Sequence, residues 1–165
     1  ERHKVPKRLR PQRPAGVERR VSDRPLFGVL PWLTVRDRIG DLPDPLSEEA
    51  RQWPNHVFQP GARAYVGHTG SPLDEPAKTL KAGDHGVPGG ENMIAFADGH
   101  VRYFTVREAA RMQSFPDDFV FCSSWSENMR QLGNAVPVEL GRVIAKDIRD
   151  RLASIKRSDG GRDDY

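Results

Sequence analysis

The amino-acid sequence predicts an α+β protein: a small, loop-rich, twisted β domain with short helices, followed by one long helix near the end of the chain. Three observations predict it. Asp98-Gly99 stands between Ile94-Ala95-Phe96 and His100-Val101-Arg102-Tyr103-Phe104, the pattern of a tight β-hairpin. Thr105, with Glu108 three residues on, reads as a capping box that opens a short helix. Val138, Leu140, Val143, Ile144, Ile148, Leu152 and Ile155 recur at helical spacing, so a last helix from Pro137 to about Lys156 carries an apolar face that needs a partner surface.

Composition limits the size of the core. With 165 residues, of which 36% are hydrophobic and 30% charged, and with 14 prolines and 15 glycines, the chain suits one domain, or one compact part plus tails, with long loop excursions. The reading divides it into a basic arm or linker at 1–25, a small domain at 26–125, a loop and helix at 126–156, and a disordered tail at 157–165. The net charge is only +3, but Arg2, Lys4, Lys7, Arg8, Arg10, Arg13, Arg19, Arg20 and Arg24 face only Glu1, Glu18 and Asp23. Such an arm attracts a polyanion, and a merely solvated tail is the alternative reading. A single cysteine excludes an internal disulfide and fits a reducing compartment. No apolar run approaches the roughly 20 residues that span a bilayer, so a soluble, intracellular protein is expected. The sequence begins at Glu1 rather than at methionine, as a piece of a longer protein would.

Taken in order, Leu26-Phe27-Gly28-Val29-Leu30 is a short apolar run, and Thr34 caps a helical turn from Val35 to Ile39 that Gly40 stops. Prolines 43, 45, 54 and 60 allow only brief structure, with a helical turn at Ser47–Gln52 under a Ser47 cap. Trp53 and Phe58 pin this loop by packing. Pro76 to Gly90 reads as strand-like pieces separated by glycines. In the helix after Thr105, Ala109, Ala110 and Met112 form a small apolar face and Pro116 marks the end. Ser126 is then expected to cap a turn from Glu127 to Leu132, with a stop at Gly133-Asn134.

Few side chains announce chemistry by themselves. Cys122, in Phe121-Cys122-Ser123-Ser124-Trp125, has no activating base nearby in sequence and reads as an inert, partly buried thiol. His3, His56, His68, His85 and His100 match no metal spacing, so no metal site is expected. The glycine-rich run is not a nucleotide-binding motif, but Lys78, Thr79, Lys81 and His85 offer donors suited to nucleic-acid phosphates or base edges. On composition alone a structural loop is the plainer alternative.

Two runs carry a family resemblance. Arg107-Glu108-Ala109-Ala110-Arg111-Met112-Gln113-Ser114-Phe115-Pro116-Asp117 resembles the ninth of the ten motifs of DNA cytosine-5 methyltransferases, and Gln131-Leu132-Gly133-Asn134-Ala135-Val136-Pro137 resembles the tenth. Lys78-Thr79-Leu80-Lys81 is similar to the Thr-Leu element of that family's target recognition domain, and Thr34 to Pro43 to the segment leading into it. The likeness covers roughly residues 26–156. Absent are the Phe-x-Gly-x-Gly loop that binds S-adenosylmethionine, the Pro-Cys dipeptide of the nucleophile and the Glu-Asn-Val element; Glu91-Asn92-Met93 is similar to the last only superficially.

The resemblance implies the C-terminal part of a bacterial DNA cytosine-5 methyltransferase, target recognition domain plus ninth and tenth motifs, of restriction-modification type. It further implies that the last helix completes a Rossmann-like methyltransferase domain supplied by another chain or segment, and that this chain alone is inactive. Lys78, Thr79, Leu80, Lys81, Gly83, His85, Gly86, Gly89 and Gly90 would contact DNA; Asn134, Ala135 and Val136 would line the S-adenosyl-L-methionine pocket; Arg107, Glu108, Arg111 and Gln113 would brace the structure; no catalytic residue lies in this chain. The implied partners are double-stranded DNA and a catalytic domain or subunit carrying the Pro-Cys motif, in a bacterial cytoplasm at the nucleoid. The alternative is a non-enzymatic DNA-binding remnant or regulatory fragment.

Overall fold

The computed structural model describes residues 32–81 and 92–159, and the expectations for the basic arm, for Leu26–Leu30 and for the glycine-rich run from 82 to 91 lie outside them. The described residues from Leu33 onward form one compact unit of mixed α and β structure. Its elements are α1 (Val35–Ile39), a 3-10 turn (Glu49–Gln52), β1 (Ser71–Pro72), β2 (Met93–Ala95), β3 (Val101–Tyr103), α2 (Val106–Met112), α3 (Trp125–Asn134) and α4 (Val138–Asp159).

The sheet is small because the chain offers short apolar pieces. β2 pairs antiparallel with β3, with Ile94 opposite Arg102, across the turn at Asp98-Gly99, as the hairpin pattern predicts. β1 pairs in parallel with the other edge of β2, Ser71 opposite Ile94. This third strand lies before Pro76; the described part of the Pro76–Gly90 run, through Lys81, has no strand. Prolines and small residues there hold the chain extended without a ladder. Gly70 makes the approach to β2 possible: its φ is +77°, and a Cβ would lie 3.1 Å from the Ala95 nitrogen and 3.2 Å from the Met93 oxygen.

Capping chemistry sets the helices. The Thr34 hydroxyl accepts from the Asp37 amide at 3.2 Å while Asp37 accepts from the Thr34 amide at 2.8 Å. Thr105 and Glu108 repeat the arrangement at 3.1 and 2.8 Å, satisfying amides that a helix start leaves open. α2 ends at Gln113 rather than at Pro116, as Ser114 turns to φ +60°. Ser124, not Ser126, caps α3. Gly133 and Asn134 stay helical, and α4 runs to Asp159, three residues past the expected end. Val35, Ile39, Leu80, Ile94, Phe104, Val106, Ala109, Ala110, Phe121, Met129 and Leu132 form one core, so α1, the sheet, α2 and α3 share it.

One charged residue sits at the centre of this body. The Arg107 side chain is fully buried, and its guanidinium donates to the carbonyls of Pro54 at 2.9 Å, Pro116 at 3.1 Å and Phe119 at 2.8 Å. Its amide donates to the Asn55 carbonyl at 3.0 Å. Burial depresses its pKa below the ordinary value and Asp117, 3.7 Å away, partly offsets this; a guanidinium stays charged regardless. Loop carbonyls that have no strand or helix partner thus find donors inside the protein. Arg107→Met is expected to lower the free energy of unfolding by about 3 kcal/mol, because three loop carbonyls lose a charged donor that ties them to α2; a urea midpoint unchanged from the native protein would contradict this.

Candidate functional site

The residues expected at a cofactor lie at the elbow between α3 and α4. Pro137 disfavours helical backbone at Val136, so α3 stops at Asn134 and α4 starts at Val138. Asn134 and Val136 are exposed and Ala135 is half-buried. Gln113 closes this elbow from both sides: its side-chain amide donates to the Leu132 carbonyl at 2.8 Å, and its own carbonyl accepts from the Val138 amide at 2.9 Å. The end of α2 therefore fixes where the elbow sits. The elbow thus presents an exposed carboxamide beside an exposed apolar Val136.

The residues expected at DNA fall on the chain after β1. The Lys78 amide donates to Ser71 Oγ at 3.0 Å and its Nζ to Thr69 Oγ1 at 2.9 Å; Thr79 and Lys81 are exposed, and the Lys81 amide faces Asn92 Oδ1 at 3.4 Å. Leu80 corrects the expectation: it is 5% exposed and belongs to the core, so it anchors the segment while its neighbours face outward. Gly83, His85, Gly86, Gly89 and Gly90 lie outside the described residues.

Beside the elbow, Arg111 gathers an ion-pair cluster. It contacts Asp117 at 2.6 Å and Asp41 at 2.5 Å, donates to the Arg38 carbonyl at 3.1 Å, and lies 5.1 Å from the centre of the Trp53 ring. The hydrogen bonds that Arg111 donates to the two carboxylates raise its pKa, the one to Asp117 most, and hold the Asp117 and Asp41 carboxyls below their usual range. A groove of about 330 Å³ runs along the cluster between Arg38, Phe115 and Glu139. Glu108, buried, takes a bidentate pair from Arg102 at 2.6 and 2.7 Å besides its capping bond.

Cys122 is exposed rather than partly buried, its sulfur 3.9 Å from the Val120 carbonyl; the buried side chain of that run is its neighbour Phe121. No cluster of metal-ligating side chains occurs among the described residues, and none of the described helices is long and apolar enough to cross a membrane.

Three polar residues, His56 and Asn128 buried and Asn55 half-buried, escape a reading of pattern alone. Asn55, at φ +65°, exchanges hydrogen bonds with the amide and carbonyl of Phe121, both at 2.8 Å. Asn128 does the same to Ser123 at 3.2 and 2.8 Å. His56 bridges Thr105 Oγ1 at 2.9 Å and the Pro43 carbonyl at 2.8 Å; since a carbonyl only accepts, Nε2 carries the proton and Nδ1 accepts from the hydroxyl. A turn asparagine after Pro54 is the one sequence signal that could have found Asn55.

Comparison with known proteins gives this framework its class. The model of the C-5 cytosine-specific DNA methylases matches residues 43–150, and the chain belongs to that family. The type II methyltransferase M.MthTI of Methanothermobacter thermautotrophicus is 32% identical over 74% of this chain and 45% of its own length. M.AplI of Arthrospira platensis is 42% identical over 48% of this chain and 24% of its own, and M.NgoFVII of Neisseria gonorrhoeae 45% over 50% and 22%. The chain thus spans less than half the length of these relatives. The match corrects the expectation of a C-terminal part made of a target recognition domain with the ninth and tenth motifs: the methylase domain itself is matched across residues 43–150, where the relatives also align. The matched region includes the sheet, α2, α3 and most of α4, and α2 and α3 share a core with the sheet rather than standing as separate pieces.

Two outcomes test this geometry. Gln113→Ala is expected to raise amide exchange at 134–138 about fivefold, the equivalent of one lost hydrogen bond of about 1 kcal/mol; unaltered exchange would show that the side chain does not hold the elbow. Asp41 and Asp117 have folded-state pKa values depressed below the unfolded ones, so their stabilisation is complete above about pH 5 and is lost as pH falls through the folded values. Asp117→Asn should therefore flatten the acid limb of a plot of urea midpoint against pH, while lowering the midpoint at pH 7.

Proposed function

We propose that this chain contributes DNA contacts and one wall of the S-adenosylmethionine pocket to a DNA (cytosine-5-)-methyltransferase of restriction-modification type, whose nucleophilic cysteine and remaining pocket come from another segment or chain. The observation that carries the reading is α4. Leu140, Val143, Ile144, Ile148, Leu152 and Ile155 are between 49% and 56% exposed along a 22-residue helix. An apolar stripe of this length is stable in water only against a second surface, and a methyltransferase core that completes the fold is such a surface. The lone Cys122 is preceded by Phe121 rather than by the proline of the family's nucleophile, which supports placing the nucleophile elsewhere.

Methylation at cytosine C5 requires the base to leave the stack, because C5 and C6 are unreachable inside the duplex. A thiolate adds to C6, C5 takes the methyl group, and elimination restores the ring. S-adenosylmethionine supplies that methyl group when bound. Within this chain the work is positional. Lys78, Thr79 and Lys81 meet the DNA from the segment that Leu80 anchors. Asn134 and Val136 meet the cofactor from the elbow that Gln113 holds, and Arg107 keeps the supporting loops in place.

Mixing this chain with a polypeptide carrying the Pro-Cys and cofactor motifs is expected to give methyl transfer, read by protection of DNA in a methylation-sensitive digest. Absence of transfer with every such polypeptide from the same locus would sink the proposal. In the assembled enzyme Asn134→Ala should weaken cofactor binding about tenfold, the loss of one hydrogen bond, and leave DNA binding nearly unchanged; the reverse pattern would refute the assignment of the elbow.

A further inference from the structure

The tip of the β2–β3 hairpin carries a reactive peptide bond. The Phe96 amide donates to the His100 carbonyl at 3.0 Å and closes a loop filled by Ala97-Asp98-Gly99. Gly99, at φ +89°, takes the left-handed place that a three-residue hairpin loop requires. An Asp-Gly pair in such a loop is open to one covalent change. The Gly99 amide nitrogen, unshielded by a side chain, attacks Asp98 Cγ. The N–Cγ bond forms, the Cγ–OH bond breaks, the amide proton and the hydroxyl leave as water, and a five-membered succinimide results. Water then adds to either ring carbonyl and yields aspartate again, or isoaspartate, whose main chain runs through Cγ. No oxidant or other reactant is consumed.

Three contacts oppose the attack. The His100 amide and the His100 Nδ1 both meet Asp98 Oδ1, at 3.2 and 2.5 Å. An ionised carboxylate only accepts, so Nδ1 carries the proton. The Gly99 amide is itself engaged, donating to the Phe96 carbonyl at 3.0 Å. The two contacts from His100 turn the carboxylate toward His100, and they hold its pKa below the usual carboxylate range, the amide contributing most. The protonated acid that must lose water is therefore scarce. The histidine ring is placed in turn by Phe96, with 4.0 Å between centroids and 6° between planes. Arg102 lies 5.7 Å from the centre of the same Phe96 ring.

We propose that Asp98-Gly99 is a latent isomerisation site held closed by the His100 side chain. Isoaspartate would lengthen the main chain by one carbon inside a closed hairpin loop. The register that sets Ile94 opposite Arg102 does not accommodate that carbon, and Arg102 is the residue that pairs with the buried Glu108 at the start of α2. His100 thus protects the sheet against which α2 is built. This role is independent of any contact with DNA or cofactor.

The test is incubation of the full chain at neutral pH, warm but below its unfolding transition, with isoaspartate located by peptide separation and fragmentation. Asp159-Gly160, followed by Gly161, is the same dipeptide without a histidine and serves as the reference in each sample. His100→Phe keeps an aromatic ring for the stack on Phe96 and removes the side-chain contact with the carboxylate. It is expected to raise the rate at Asp98, relative to that at Asp159, about fivefold, the factor given by one lost hydrogen bond. An unchanged ratio in His100→Phe overturns the proposal even if His100→Ala reacts faster, because the ring stack alone would then protect the turn. A lowered ratio also overturns it, since His100 would then assist the attack. Asp98→Glu, whose longer side chain cannot close the five-membered ring, should give no isomer at this position; a signal there overturns the assignment of the site.

Discussion

The guanidinium of Arg107 is the interaction on which the rest of the structure depends. Proline has no backbone N–H, so loops in a chain with 14 prolines in 165 residues are short of donors for their carbonyls. Arg107 donates to three of them, on both sides of α2 in sequence. The loop containing Pro54 and the loop from Pro116 to Phe119 are thereby tied to one helix. An apolar residue at this position would pack, but it could not satisfy those oxygens. The aromatic group of Phe115, Phe119 and Phe121, with centroids 4.9 to 5.5 Å apart, forms within the loop that this guanidinium holds.

From that centre the order of support runs outward. α2 is held by Arg107 and by the Thr105–Glu108 cap, and the residue that caps its C-terminus, Gln113, sets the elbow between α3 and α4. α4 leaves the body there, and its Arg142–Glu139 and Arg151–Asp147 pairs are internal to the helix. Exposed pairs of this kind add little stability. The position of the elbow and the start of α4 is therefore set by the residue that caps α2, about twenty residues earlier in the chain.

Much of this was legible in the sequence where local chemistry decides. The Thr34 and Thr105 caps, the Asp98-Gly99 hairpin and the apolar stripe of α4 are all short-range patterns, and all are present. The start of α3 also has a local signal: Ser124 stands three residues before Glu127, the spacing of a capping box, whereas the residue three after Ser126 is Met129. Glu127 then spends its carboxylate on Arg130 and Gln131, which push its pKa down to about 2, so only the serine half of the box forms. Gly133 suggested a stop, but Leu132 and Met129 fill the core and hold the helix through it until Pro137 intervenes. β1 was missed because two residues carry no period, and its pairing depends on Gly70 approaching a strand more than 20 residues later. The full burial of Arg107 and Glu108 was invisible for a related reason: charged residues are taken as surface until the partners that neutralise them are known.

Asn55 and Asn128 each stand in for a strand partner, offering one acceptor and one donor to the backbone of a single residue. That service needs the side chain to remain an amide. Hydrolysis to aspartate would keep the acceptor, remove the donor and bring an anion next to the Phe121 or Ser123 carbonyl. Chemical ageing of either carboxamide would therefore loosen the loop that it ties down, whereas the exposed thiol of Cys122 holds no loop in this way.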